Sequence, residues 1–147
     1  MLHSDNCYKL QKVDIRGHCC KTNLQSNTAF RGFGGPQGLF AVETFMDEIA
    51  TDLDMDPFAL REKNLYDSND KTYFSQPLEH CTIKKCWEEC KAMSRFEAQR
   101  AEVQQWNSLH KWKKRGVAMI PVKFGIAFTA PHLNQGGALV HVSSHSF

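Results

Sequence analysis

Charge of one sign is what this 147-residue chain has least of: 18 Lys and Arg stand against 16 Asp and Glu, a formal net charge of +2. So small an excess sets up no field that would commit the chain to nucleic acid or to an anionic membrane. Long apolar runs are missing too, since none approaches the roughly 18 residues of a membrane span. The opening Met1-Leu2-His3-Ser4-Asp5-Asn6 lacks the basic and apolar regions of a signal peptide. These absences predict a soluble, non-secreted protein with no membrane partner and no nucleic-acid partner. Six cysteines fall well short of the roughly 8–10% that marks a small disulfide scaffold. Cys7, Cys19, Cys20, Cys81, Cys86 and Cys90 form no Cys-x-x-Cys, and neighbouring Cys19 and Cys20 are poorly placed to aim both sulfurs at one zinc. They read as reduced thiols. Among the seven histidines, His141 and His145 come closest to a chelating pair. On a predicted strand they share a face but stand too far apart to chelate alone, so no metal site is expected.

What is present is enough for one ordinary domain: 41% of the residues are hydrophobic, and a chain of this length can bury roughly 68–70% of its unfolded surface. Residues 1–29 are polar and irregular. Phe30 to Gly38 then holds four glycines and a proline in nine residues, ahead of Leu39, Val42, Phe45, Met46, Ile49 and Leu53. Those positions fall on one helical stripe, predicting a glycine loop that feeds an amphipathic helix over roughly 37–53. Asp56-Pro57 reads as an N-cap followed by proline at the first helical position, opening a short helix through Arg61 that Asn64 stops. Thr82 is placed to cap a third helix carrying Ile83, Trp87, Cys90 and Met93, and the Glu, Gln, Ala and Arg of about Phe96 to Trp106 favour a fourth. Beyond Gly116 the pattern turns β-branched and aromatic over Val117 to Phe128, broken by Pro121 and Gly125, and again over Gly137 to Val142. The class predicted is α+β, with helices connecting two parts and strands beginning near 116.

The residues alone leave the chemistry open. The stretch Arg31 to Gly38 lets backbone approach a ligand, and amides at a helix start favour anions. It has neither the third glycine of a dinucleotide fingerprint nor the Gly-Lys-Ser/Thr of a phosphate loop, and so reads on its own as a structural turn sooner than as a ligand loop. Lys111-Trp112-Lys113-Lys114-Arg115 is a candidate nucleic-acid patch, but cations at a helix end also meet the C-terminal dipole. Phe30, Phe33, Phe124 and Phe128 read by default as core aromatics. No acid–base pair, nucleophilic triad or metal cluster assembles from local spacing.

Longer strings are more specific. Cys20-Lys21-Thr22-Asn23-Leu24, followed by Ser26-Asn27-Thr28-Ala29-Phe30-Arg31-Gly32-Phe33-Gly34-Gly35-Pro36-Gln37-Gly38, resembles the molybdenum-cofactor-binding region of the xanthine dehydrogenases. A second string, Lys113-Lys114-Arg115-Gly116, then Ile120 to Thr129 and Leu133-Asn134-Gln135, resembles the same family further along. Related aldehyde oxidases carry a bulky residue in place of Gly35 and lack the run Phe124 to Thr129, which favours the xanthine dehydrogenase branch.

The resemblance implies a molybdopterin cofactor contacted by Arg31. It implies a purine such as hypoxanthine or xanthine clamped between Phe33 and Phe128, with Thr129 offering a hydroxyl and Leu133 an apolar wall. The implied reaction is oxidative hydroxylation of a purine carbon beside a ring nitrogen. Residues 1–66 would end one molybdopterin-binding domain, 67–115 would form a helical connector, and 116–147 would start a second such domain. Parent enzymes of the family also use iron–sulfur clusters and FAD, dimerise, and are cytoplasmic or peroxisomal. The cluster cysteine patterns do not occur here. The family's catalytic glutamate corresponds to no residue of this chain, so the resemblance implies a truncated piece, inactive alone. A non-catalytic binding module derived from such an enzyme is the alternative.

Overall fold

The computed structural model describes residues 2–125 and 135–142. Four helices follow one another: α1 (Gly35–Asp52), α2 (Pro57–Asn64), α3 (Ile83–Met93) and α4 (Phe96–Leu109). Each arises where local sequence favours it. Pro36 sits in the first turn of α1, where a missing N–H costs nothing, behind Gly34 in the left-handed conformation. Asp56 caps α2 by accepting from the Phe58 amide at 3.1 Å, and the same carboxylate meets Arg100 of α4 at 2.6 Å. Thr82 behaves differently from expectation: it makes no side-chain cap bond, and its hydroxyl faces the Cys86 sulfur at 4.0 Å instead.

The core forms where α1 and α2 meet residues 5–8 and the aromatic ends of α3 and α4. Val42, Met46 and Ala50 of α1 pack with Cys7, Tyr8, Leu60 and Leu65. Phe58 stacks on Trp87 and tilts against Phe96, both at 4.9 Å between ring centres, tying α2 to α3 and α4. The buried face of α1 is turned from the expected stripe. Ala50 is covered, whereas Ile49 and Leu53 are 40% and 58% exposed, because residues 5–8 and α2 cover only the side that carries Val42, Glu43 and Met46.

The described part is mostly helical with little strand. Its β pairing consists of two isolated antiparallel bridges, Tyr8 with Leu65 and Lys71 with Pro77. Strands were expected over Val117 to Phe128 and Gly137 to Val142, and the described parts of these, residues 117–125 and 137–142, form no ladder among the described residues. β-propensity specifies an extended chain, but a ladder needs a partner edge, and none of the described segments offers one there. Residues 16–31 and 135–142 are exposed throughout. The total accessible surface is 12397 Å², against roughly 7,600 Å² for a compact monomer of this mass.

Candidate functional site

The glycine loop is a succession of tight turns. Phe33 N–H donates to Phe30 O at 2.8 Å, Gly35 N–H to Gly32 O at 2.7 Å, and Gly38 N–H to Gly34 O at 3.0 Å. Gly32 and Gly34 take φ of 95° and 79°, where a side chain would be strained. Phe33 lies between them at φ 46°, also left-handed, and its ring is 53% exposed. A non-glycine residue held there is uncommon, and its surroundings must enforce it. Arg31 is exposed on the same turn.

Opposite this loop runs the segment 121–125, fixed by a buried polar network that the sequence reading missed. Glu43 of α1 accepts from Asn6 Nδ2 at 2.7 Å and Tyr8 Oη at 2.8 Å through one oxygen, and from Arg61 Nε at 2.7 Å through the other. Arg61 also reaches Asp47 at 2.8 Å. Asn6 donates to Pro121 O at 2.8 Å and accepts from Lys123 N–H at 3.3 Å. Lys123 Nζ meets fully buried Asp5 at 2.5 Å, and Tyr66 Oη donates to the same Oδ2 at 2.9 Å. Asp5 Oδ1 is buried without a partner among the described residues.

The electrostatics follow from this burial. Burial and the Glu43 hydrogen bond push the Tyr8 phenol up, and burial with the Asp5 bond does the same to Tyr66. Burial opposes the Arg61 charge, yet the bonds from Glu43 and Asp47 outweigh it and raise its pKa. Burial pushes the Cys7 thiol up to about 12. Cys7 should therefore stay unlabelled by iodoacetamide at pH 8 in the native chain, while exposed Cys19, Cys20, Cys86 and Cys90 react. Mass mapping of the labelled peptides reads this directly, and rapid labelling of Cys7 would contradict the buried packing.

The network brings segment 121–125 against the start of α1. The Phe124 ring stacks on His3 at 5.1 Å and 11°, and a Cβ on Gly35 would lie 2.9 Å from Phe124 Cε2. Of the residues singled out from sequence, Arg31 and Phe33 share the glycine turn. Phe128, Thr129 and Leu133 lie outside the described residues. Phe124, read earlier as core, is half exposed at the loop. Lys111 to Arg115 is tied to α4: Lys114 Nζ donates to Asn107 O, Trp106 Nε1 donates to Lys113 O at 3.1 Å, and the Arg115 guanidinium lies 3.5 Å over the Trp106 ring. This contact with the end of α4 matches the dipole reading of that cluster. Among the described residues no helix is long and apolar enough to cross a membrane.

The loop suits a large, polar, hydrogen-bonding ligand. Among the described residues nothing lies within 4 Å of where a Cβ on Gly34 would sit, so the turn is open on that side, and exposed Arg31 on the same turn carries a fork of N–H donors. A pterin bearing phosphate and ring acceptors has complementary chemistry. A cleft of about 490 Å³ lies elsewhere, lined by Cys7, Tyr66, Cys81, Lys123 and Phe124 among others, and neither Arg31 nor Phe33 borders it.

Comparison with known proteins gives the class first. Two family profiles, each described as a molybdopterin cofactor-binding domain, match residues 1–65 and 89–146. The chain is 50% identical over 142 residues to the xanthine dehydrogenase/oxidase of Gallus gallus, 51% to that of Rattus norvegicus, and 50% to xanthine dehydrogenase 2 of Arabidopsis thaliana. Each alignment takes in 97% of this chain, which spans about a tenth of the length of the curated relatives it matches. The chain belongs to the xanthine dehydrogenase family, in its molybdopterin-binding region, and molybdopterin is the cofactor of that region.

Proposed function

We infer that the chain forms part of the substrate and cofactor site of a molybdenum-dependent oxidoreductase that hydroxylates purines such as hypoxanthine and xanthine. The observation that carries this reading is the contact between Gly35 and Phe124: it joins the glycine loop to the segment that leads, four residues later, into Phe128. When bound, the molybdenum cofactor supplies the oxidative chemistry. The chain's residues then bind and orient. Arg31 holds the cofactor from the open turn. Phe33, exposed and presented by its left-handed backbone, packs on one side of a flat purine, and Phe128 supplies the second aromatic surface. Thr129 offers a hydroxyl to the ring and Leu133 an apolar wall.

In this reading residues 1–66 belong to one molybdopterin-binding domain, 67–115 connect, and 116–147 open a second. The segments Val117 to Phe128 and Gly137 to Val142 become strands of an α+β whole where other parts of the enzyme supply partner edges. The parent works as a homodimer in the cytoplasm or peroxisome with iron–sulfur clusters and FAD, and the chain alone does not turn over purines. A hybrid tests this: the matched segment of the rat enzyme is replaced by these residues. The hybrid should oxidise xanthine, and F33A should cut its kcat/KM about 100-fold, a loss of clamp area and ring–ring contact. A hybrid that folds and takes up cofactor but leaves xanthine unoxidised, or an F33A hybrid as active as its parent, would remove the assignment.

A further inference from the structure

We propose that Gly35 and Phe124 form a positioning latch that sets how closely the aromatic segment approaches the cofactor loop, and thereby how tightly a flat substrate is held. The proposal rests on the purine-site reading for its consequence but on geometry for its existence. Gly35 is buried at the first position of α1, and its φ lies outside the left-handed region, so its lack of a side chain is not required by the backbone. A Cβ there would instead stand 2.9 Å and 3.1 Å from two carbons of the Phe124 ring. The ring stacks on His3 at 5.1 Å and 11°, and His3 Cδ2 lies 3.8 Å from the same Cβ position. His3 is itself seated on α1, where a Cβ on Gly38 would come within 3.0 Å of its own Cβ. Behind the ring, Asn6 and Asp5 fix Pro121 and Lys123 through the bonds at 2.8 Å, 3.3 Å and 2.5 Å. A side chain at position 35 therefore has to displace the Phe124 ring from its place against His3, on a segment whose backbone Asn6 holds at Pro121 and Lys123. Gly35 and Phe124 thus act through the placement of other groups and are positioning residues.

A double-mutant cycle on the full chain tests the latch. Alanine favours helix over glycine at an ordinary φ, so without the latch G35A should stabilise α1. With it, G35A should raise the unfolded-to-folded ratio in urea about tenfold, the cost of overpacking. In an F124L background, where the ring is gone, G35A should change the ratio by less than about twofold. Equal effects in both backgrounds, or stabilisation by G35A alone, would overturn the latch. Should G35A fail to fold, a folded G35A/F124L chain supports it, and failure of the double variant beside a folded F124L chain refutes it. The xanthine-oxidising hybrid supplies the readout a merely structural role would not move. There G35A should raise KM for xanthine about tenfold with kcat within about threefold, and F124L should restore it. An unchanged KM would remove the positioning role. A hybrid inactive before any substitution would refute the purine reading and leave the urea cycle to judge the contact.

Discussion

Glu43→Ala should destabilise the chain by about 3–5 kcal/mol, the usual cost of removing one partner from a buried ion pair. Glu43 is 9% exposed and Arg61 5%, and three side chains converge on the one carboxylate. Its removal leaves the Tyr8 hydroxyl without the acceptor the structure gives it and the Arg61 guanidinium with the residue-43 carbonyl at 3.4 Å and Asp47, whose side chain is mostly exposed. The penalty comes from stranded donors more than from lost attraction. Replacing both partners by apolar residues of similar volume, as in an E43L/R61M chain, should therefore cost much less than E43A alone. Urea unfolding followed by far-ultraviolet circular dichroism measures both. A loss below about 1 kcal/mol for E43A would mean that water reaches the pair in solution and that the network does not hold α1 to α2.

Much of the helical frame was readable because helices are local. The expected bounds 37–53, Pro57 with a stop at Asn64, Ile83 to Met93 and Phe96 to Trp106 lie within a few residues of the observed elements. The ion pair had left a trace. Glu43 stands four residues after Leu39 and three before Met46, on the apolar stripe of α1, while Arg61 follows Phe58 by three on the next helix. A charge on the buried stripe of each of two successive helices is a signal of pairing across them. Asp5, Asn6 and Lys123 had no such trace. Their bonds join residues 115 to 118 positions apart, and nothing in a polar N-terminal stretch says which distant backbone it will meet. The strands expected after Gly116 form no ladder among the described residues for the related reason that propensity describes one chain and a ladder needs two. The site lies between these cases. Arg31 and Phe33 were singled out through a motif, while the close approach of Phe124 to Gly35 became visible only in the structure.

Lys123→Ala should have the second large effect, and a more local one. Asp5 is fully buried, with Lys123 as the cation within salt-bridge distance among the described residues. Among the described residues its loss leaves the carboxylate with the Tyr66 hydroxyl as its remaining side-chain donor, at a cost of about 3 kcal/mol. The same nitrogen sits 5.1 Å over the Tyr66 ring, so the substitution also removes a cation–π contact. Because the residue belongs to the segment that carries Phe124, the consequence should concentrate there. Hydrogen exchange of amides 119–125 should lose protection while α2 and α3 keep theirs, in contrast to the global loss expected for E43A. The imidazole of His3 reports the same event independently. Burial holds its pKa below the ordinary value, and the Lys123 charge lowers it further. In the K123A chain one lowering influence is gone and the Phe124 ring has drifted away, so the His3 pKa should rise, as read from its ring-proton shifts against pH. An unchanged His3 titration together with unchanged exchange would show that segment 121–125 is held by the Asn6 bonds and apolar packing without the Lys123–Asp5 pair. The path from the buried Asp5 carboxylate to the cofactor loop would then be absent.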